Sequence, residues 1–426
     1  MTFRNRLLLV AASFPPVGSS NSTRATFIVK HLAASGWEIK VLTVSEKRAL
    51  TRRVRDDSLL PKLPPGVEVR RTIGGILGKA YRQFSGPAYG GLNESGRAIL
   101  SRFLIPDPWV DWVPGAVLEG TRMLRNWRPD VIVSMAYPFT CHLIGFMLHR
   151  KLEIPLHLDY GDPWSSSPDT RLAKPFLRIA TGLERKILLA ASSVSMTTDE
   201  TVSLYLRDWP FLKGRIFTVP MGFDPVEFLS AQPKTFAKFT ILHAGVVLHP
   251  YRDPAPLFQA LSAMIKEDPK ISGLVQVVFL GEMEKTYVES LDKLGLLKLV
   301  TVIRRVPFDE SLSWIKGADV LLLLGNVGSV QVPAKVYHYV CSGKPVLLIK
   351  RENEDPAERL LMSARMLLVT RNNPLEIKEA LARLIHSRDG GSMNSDAPSS
   401  ADYMSDYSWE NVVRRLDSRL RDSAAL

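Results

Sequence analysis

The sequence predicts an α/β protein built twice over, each half a doubly wound parallel sheet with crossover helices. Three observations carry that expectation. A chain of 426 residues is too long for one ordinary core, at about 100–200 residues per domain. Short β-rich runs alternate with helical patterns from end to end, which is how strand–helix–strand units read in sequence. The alternation pauses at a proline- and lysine-bearing stretch, residues 229–238, and then restarts. The expected organisation is therefore an N-terminal domain over 1–228, a linker over 229–238, a second domain over 239–404 and a last helical segment over 405–426.

Taken in order, the first element is the apolar run in "MTFRNRLLLVAASFPP". Arg4 and Arg6 before it imitate a secretory leader, but residues 7–12 are few for one and two prolines follow, so a buried strand over 6–12 is expected. A helix over 22–35 comes next, opened by Asn21 or Ser22 as cap and closed by Gly36. Further strands are expected at 38–44, 131–135, 155–159, 194–197 and 216–219. Residues 45–128 form an irregular insertion, with "RRTIGGILGKAYRQF" and "FLIPDPWVDWVPG" mixing basic, apolar and aromatic residues. Two readings are open for it: a helical insertion packed on the first domain, or a surface that meets a membrane or a lipid-linked substrate through Arg70, Arg71, Lys79 and Arg82. In the second half, strands are expected at 239–244, 275–280, 299–304, 319–324, 345–350 and 366–369, with helices beginning near residues 254, 285, 309, 333, 355 and 374. The tract "SRDGGSMNSDAPSSAD" reads as a polar loop, and an amphipathic helix over 409–420 follows it.

Composition narrows the function. Hydrophobic residues at 46% and charged residues at 23% are those of a globular protein. Cys141 and Cys341 lie far apart in apolar segments, which argues against a disulfide framework and for a reducing, cytoplasmic setting. No apolar run approaches the roughly 20 residues a bilayer span needs. The net charge of +12 is spread along the chain without an aromatic-interleaved basic module, so nucleic acid is not expected as a partner. Anionic small molecules or an anionic membrane surface suit diffuse positive charge better.

Four stretches carry chemistry. The Gly-x-Gly-x-x-Gly dinucleotide fingerprint is absent after the first strand; the turn is "SFPPVGSSNSTR" instead, with Gly18 and Ser19 ahead of a helix N-terminus that favours an anion. "IPLHLDYGDPW" puts Asp159 and Asp162 at a strand's C-terminal end, where ligands bind in open α/β sheets. Carboxylates there either orient a hydroxyl, take its proton or stabilise charge on a sugar carbon, or else simply cap the next turn. "ILHAGVVLHPYRDPAP" places Arg252 near a helix start, suited to phosphate or to a surface ion pair with Asp253 or Glu267. Finally, "VPAKVYHYVCSGKPVLLIK" is helix, turn and buried strand, and structure alone does not explain Lys335 and His338 on that helix.

With these pieces in place, the chain resembles the family 4 glycosyltransferases of the GT-B fold over nearly its whole length. The matching segments come in the family's order: "FPPVGSSNSTRATFIVKHLAASGWEIKVLTV", "RPDVIVSMAYPFTCHLIG" with "IPLHLDYGDPW", "VPMGFD", "VPAKVYHYVCSGKPVL" and "YSWENVVRRL". The resemblance implies two Rossmann-like domains facing a cleft, with a C-terminal helix crossing back to the first. It implies a retaining, hexosyltransferase-type enzyme of polysaccharide biosynthesis that binds a nucleotide sugar in its second domain and a glycan or lipid-linked acceptor in its first. Gly18 and Ser19 would approach the donor diphosphate, Asp162 would sit at the reaction centre with Asp159 beside it, and Arg252 and Lys335 would hold the leaving diphosphate. His338 stands where the family has the glutamate that holds the ribose hydroxyls; as a neutral imidazole it would accept one hydroxyl, and donor affinity would fall as pH drops through about 6.5. Gly161 and Met221 replace an arginine and an asparagine of the related sequences, and Val330 stands at an earlier glutamate. No cofactor and no metal site are expected, because no two aspartates stand in an Asp-x-Asp pair. The enzyme would act in the cytoplasm, peripheral at the inner face of the membrane. The rival readings are a catalytically silent GT-B-fold scaffold and a nucleotide-sugar epimerase.

Overall fold

The computed structural model describes residues 5–49, 54–73, 104–167, 172–247, 252–326, 330–362, 367–386 and 405–425. The polar tract 387–402 and the basic positions Lys79 and Arg82 lie outside them. The chain divides into two compact units, Met1–Met221 with Trp409–Leu426, and Gly222–Ser408.

The first unit holds a seven-stranded sheet of β1 (Arg6–Ala11), β2 (Glu38–Val44), β3 (Glu68–Thr72), β4 (Val131–Ala136), β5 (Leu156–Tyr160), β6 (Ser193–Met196) and β7 (Ile216–Thr218), in the order β3-β2-β1-β4-β5-β6-β7. Every pairing is parallel. All residues of β4 and β5 are buried, as expected of parallel strands covered on both faces. The first helix runs Ser20–Ala34 and its cap is Ser19, whose Oγ accepts from the Ser22 amide at 3.0 Å. Asn21, expected as a cap, instead donates its side-chain amide to the Tyr137 carbonyl at 3.1 Å. Strand β3 corrects the reading of 45–128 as irregular. It pairs with β2 from Lys40↔Glu68 to Val44↔Thr72, and its sequence EVRRT hid it, because an exposed edge strand tolerates charges that erase the apolar signal. The last helix, Trp409–Ala424, belongs to this unit: Trp409 stacks on Phe27 at 5.6 Å, and Val412, Val413, Leu416 and Leu420 are buried beneath it.

The second unit holds β8 (Phe239–Ala244), β9 (Val275–Leu280), β10 (Val300–Ile303), β11 (Val320–Leu324), β12 (Val346–Lys350) and β13 (Leu367–Arg371), in the order β10-β9-β8-β11-β12-β13. All five pairings are parallel. Ile241, Phe258, Phe279, Leu322 and Leu347 form the heart of its core. The expected class, two doubly wound parallel sheets with a C-terminal helix returning to the first unit, is the one observed. In each sheet the strand order reverses once, between β1 and β4 and between β8 and β11. Open α/β sheets bind ligands at the carboxyl ends of the strands flanking that point.

Candidate active site

At the switch point of the second unit, β8 carries the buried His243 one residue before its end. Its Nδ1 lies 3.0 Å from the Leu322 carbonyl oxygen of β11. A carbonyl can only accept, so Nδ1 carries the proton and Nε2 is an acceptor. The Lys335 amine donates to that Nε2 at 2.8 Å. Lys335 opens the short helix Lys335–Ser342, which Tyr339 fastens to the sheet end: its hydroxyl accepts from the Ala244 amide at 2.8 Å and donates to the Leu322 carbonyl at 3.3 Å. Burial and the nearby Arg252 charge push Lys335 well below the ordinary lysine range. Burial, with Lys335 and Arg252, pushes His243 down as well.

The turn after β8 makes room for this amine. Gly245 has φ +130°, and a Cβ there would stand 3.3 Å from Lys335 Nζ. A Cβ on Gly281, across the turn, would come within 2.6 Å of the Gly245 backbone. Arg252 reaches the same turn and donates Nη1 to the Val246 carbonyl at 2.8 Å, while its buried Nε has no partner among the described residues. Among the described residues, neither Lys335 nor Arg252 makes an ion pair. The carboxylate of Asp355, which acts on Arg252 from a distance, is already capping Ala357 at 2.9 Å. The Arg252 guanidinium with an idle donor, beside a lysine that an arriving anion would draw back to its ammonium form, makes a site suited to an anion.

His338 lies one turn along the helix from Lys335 but against a different neighbour. Its ring meets Phe308 edge-on at 5.7 Å, it is 9% exposed, and its Nε2 has no partner among the described residues. Burial pushes its pKa down to about 4, which corrects the expected pH response near 6.5: the ring stays neutral through that range. An NMR titration of His338 is expected to show its midpoint near 4, and a midpoint near 6.5 would contradict this burial. Tyr337 and Tyr339, at 4% and 0% exposure, are packing residues of the fold.

In the first unit the two aspartates of β5 and its following turn part company. Asp159 is fully buried and takes a two-pronged contact from Arg24, 2.8 Å from Nε and 2.7 Å from Nη2. Ser195 donates to it at 2.6 Å, and Arg24 also donates to the carbonyls of Val219 at 2.9 Å and Pro220 at 2.8 Å. Burial raises the Asp159 pKa, but Arg24 and Ser195 outweigh that and leave it below the usual carboxylate value. Asp159, expected beside Asp162 at the reaction centre, is thus closed off from solvent and engaged on both oxygens in this fold. Asp162 is exposed, on a loop fixed on either side of it. Thr197 donates to the Gly161 carbonyl at 3.0 Å, and the Trp164 amide donates to the Tyr205 hydroxyl at 2.8 Å.

Ser19 caps the first helix, and Gly18 is engaged with the 54–56 segment. The Gly18 amide donates to the Val54 carbonyl at 2.8 Å, and a Cβ would stand 3.0 Å from that oxygen, so close approach of the 54–56 segment explains this glycine. Sequence reasoning missed His243, which in FTILHA reads as a core residue, and Arg24, whose partner is 135 positions away. Among the described residues no cluster of metal-ligating side chains is present, and no helix is long and apolar enough to cross a membrane.

Both sheets and their switch points define a GT-B-like α/β protein. Residues 22–222, most of the first unit, match the family model of the glycosyl transferase 4-like domain. A search of curated proteins gave no match. Among solved structures, the chain is similar to a sucrose-phosphate synthase from Thermosynechococcus elongatus, with TM-score 0.66 at 13% identity, covering 99% of this chain and 100% of that one. A glycosyltransferase from Rickettsia africae gives 0.64 at 10% identity over 99% of both chains. A UDP-GlcNAc 2-epimerase from Methanocaldococcus jannaschii gives 0.55 at 12%, covering 98% and 99%. At these identities the likeness is one of fold.

Proposed function

We propose that the protein is a retaining, hexosyltransferase-type glycosyltransferase that moves a sugar from a nucleotide-sugar donor to a glycan or lipid-linked acceptor in polysaccharide biosynthesis. The observation that carries this reading is the pair of basic side chains at the turn after β8, Lys335 over Gly245 and Arg252 on Val246, with no counterion among the described residues. Transfer breaks the bond between the anomeric carbon and the donor phosphate, and a nucleoside diphosphate carries away the bonding electrons. Fixed positive charge on that leaving group acts most strongly when the charge develops. His243 is given the task of orienting Lys335, since its Nε2 is the amine's acceptor at 2.8 Å. Asp162 orients the acceptor hydroxyl or stabilises positive charge on the sugar carbon. Gly18 and Ser19 enter as the frame of the first helix's N-terminus, near the donor diphosphate, and His338 as a neutral ring toward the ribose. The match to a glycosyl transferase 4-like domain supports the choice of chemistry. The diffuse net charge of +12 suits a cytoplasmic enzyme working against an anionic membrane face.

A thermal-shift panel of nucleoside diphosphates and their sugars tests the reading, because a ligand of the folded state raises the midpoint by mass action, about 2.7 kcal/mol at a hundredfold excess over Kd. At least one nucleoside diphosphate is expected to shift the midpoint. Silence across the panel would favour a scaffold, and conversion of the donor sugar without an acceptor would favour an epimerase. Turnover is also expected to survive excess EDTA, with cationic side chains standing where other transferases use an ion. Loss restored by magnesium or manganese would contradict that.

A further inference from the structure

The loop that carries Asp162 is clamped by two residues that neither the fold's core nor the proposed chemistry explains. Glu184, on the helix Lys174–Ala190, is 0% exposed and makes no ion pair among the described residues. Its oxygens accept from the Ser165 amide at 2.9 Å, from the Ser165 hydroxyl, and from the Tyr205 hydroxyl at 2.7 Å. The Tyr205 hydroxyl in turn accepts from the Trp164 amide at 2.8 Å. Two successive backbone amides just past Asp162 and Pro163 therefore end on one buried carboxylate, directly or through one phenol.

Burying an unpaired carboxylate is costly, and an apolar residue of similar size usually serves a core as well or better. Burial raises the Glu184 pKa accordingly. What this carboxylate supplies is acceptors for amides of the 164–165 turn. Trp164, held by that turn, lies flat on Phe139 at 5.1 Å and 9°, so the turn is fixed from the side-chain direction as well. Catalytic groups are held most effectively by neighbours whose own geometry is locked in this way.

We propose that Tyr205 and Glu184 are positioning residues that fix the backbone after Asp162, and with it the Asp162 carboxylate, for the transfer step. This rests on the reading of Asp162 as a group at the reaction centre. Neither residue touches substrate; both act through the 161–165 loop.

The test is Tyr205→Phe, which keeps the ring and its packing on Tyr160 at 5.5 Å and removes only the hydroxyl. Amide exchange across residues 161–167, followed by mass spectrometry, is expected to quicken about 10-fold. In a transfer assay kcat is expected to fall about 10-fold with the donor KM within about twofold, the pattern of an interaction that matters in the transition state. Glu184→Gln, which keeps one carbonyl oxygen, is expected to fall between wild type and Tyr205→Phe on both readouts. Leu188→Ala, a cavity in the same helix that removes none of these hydrogen-bonding groups, serves as the stability control. It is expected to lower Tm while the folded fraction keeps its kcat. Unchanged loop exchange in Tyr205→Phe overturns the clamp, and quickened exchange with wild-type kcat overturns its role in positioning. Wild-type protein inert toward every donor would instead defeat the transferase reading, and the exchange measurement would still decide the clamp.

Discussion

Asp162→Asn is expected to lower kcat by about 100-fold or more while the donor KM changes little. Asparagine keeps the size and the hydrogen-bonding reach of the side chain and removes its charge. Asp162 is exposed while the turn after it is pinned, and asparagine keeps a carbonyl oxygen and an amide for the side chain's own contacts. If the carboxylate acts on positive charge that develops only as the sugar leaves the diphosphate, the loss falls on the chemical step. A loss of stability matching the loss of activity, with normal kcat in the folded fraction, would show Asp162 to be a turn residue only. The charge would then have to be stabilised from elsewhere.

Asp159→Ala is expected to cost the first unit about 3–5 kcal/mol, because it strands the fully buried Arg24 guanidinium without its counterion. At about 2–4 °C per kcal/mol for a unit of this size, its melting transition should drop by roughly 6–20 °C. The double variant Arg24→Met with Asp159→Leu should recover part of that, since removing both charges leaves no uncompensated ion. Recovery stays partial because Arg24 also holds the Val219 and Pro220 carbonyls. The pair also predicts acid sensitivity. Asp159 has its pKa depressed in the fold, so its contribution is present above the unfolded value of about 3.9 and is lost as pH falls through the lower folded value. A single Asp159→Ala variant as stable as wild type would remove the ion pair from the account of the fold.

Much of the fold was legible because parallel strands are short, continuous apolar runs. FTILHA and VQVVFL, both buried on two sides, were read to the residue. EVRRT was not, since an edge strand keeps its backbone pairing whatever its exposed side chains are. The site divides along the same line. Lys335 and Arg252 stood out because a cation in an apolar helix or beside a helix start demands a reason. His243 and Arg24 did not, because their meaning comes from partners 92 and 135 positions away. Asp162 stood ahead of Asp159 in IPLHLDYGDPW through the resemblance; the sheet register, which sets Asp159 opposite Met135 and Ser195 in the interior, adds the physical difference between a buried carboxylate and an exposed one.

The claim that Lys335 and Arg252 hold the donor's diphosphate is tested most directly by calorimetric titration of the preferred nucleoside diphosphate into wild type, Lys335→Ala and Arg252→Ala. A charge-assisted hydrogen bond is worth about 1.5–3 kcal/mol, so each variant is expected to bind about 10- to 100-fold more weakly. Wild-type affinity in both variants would contradict the account.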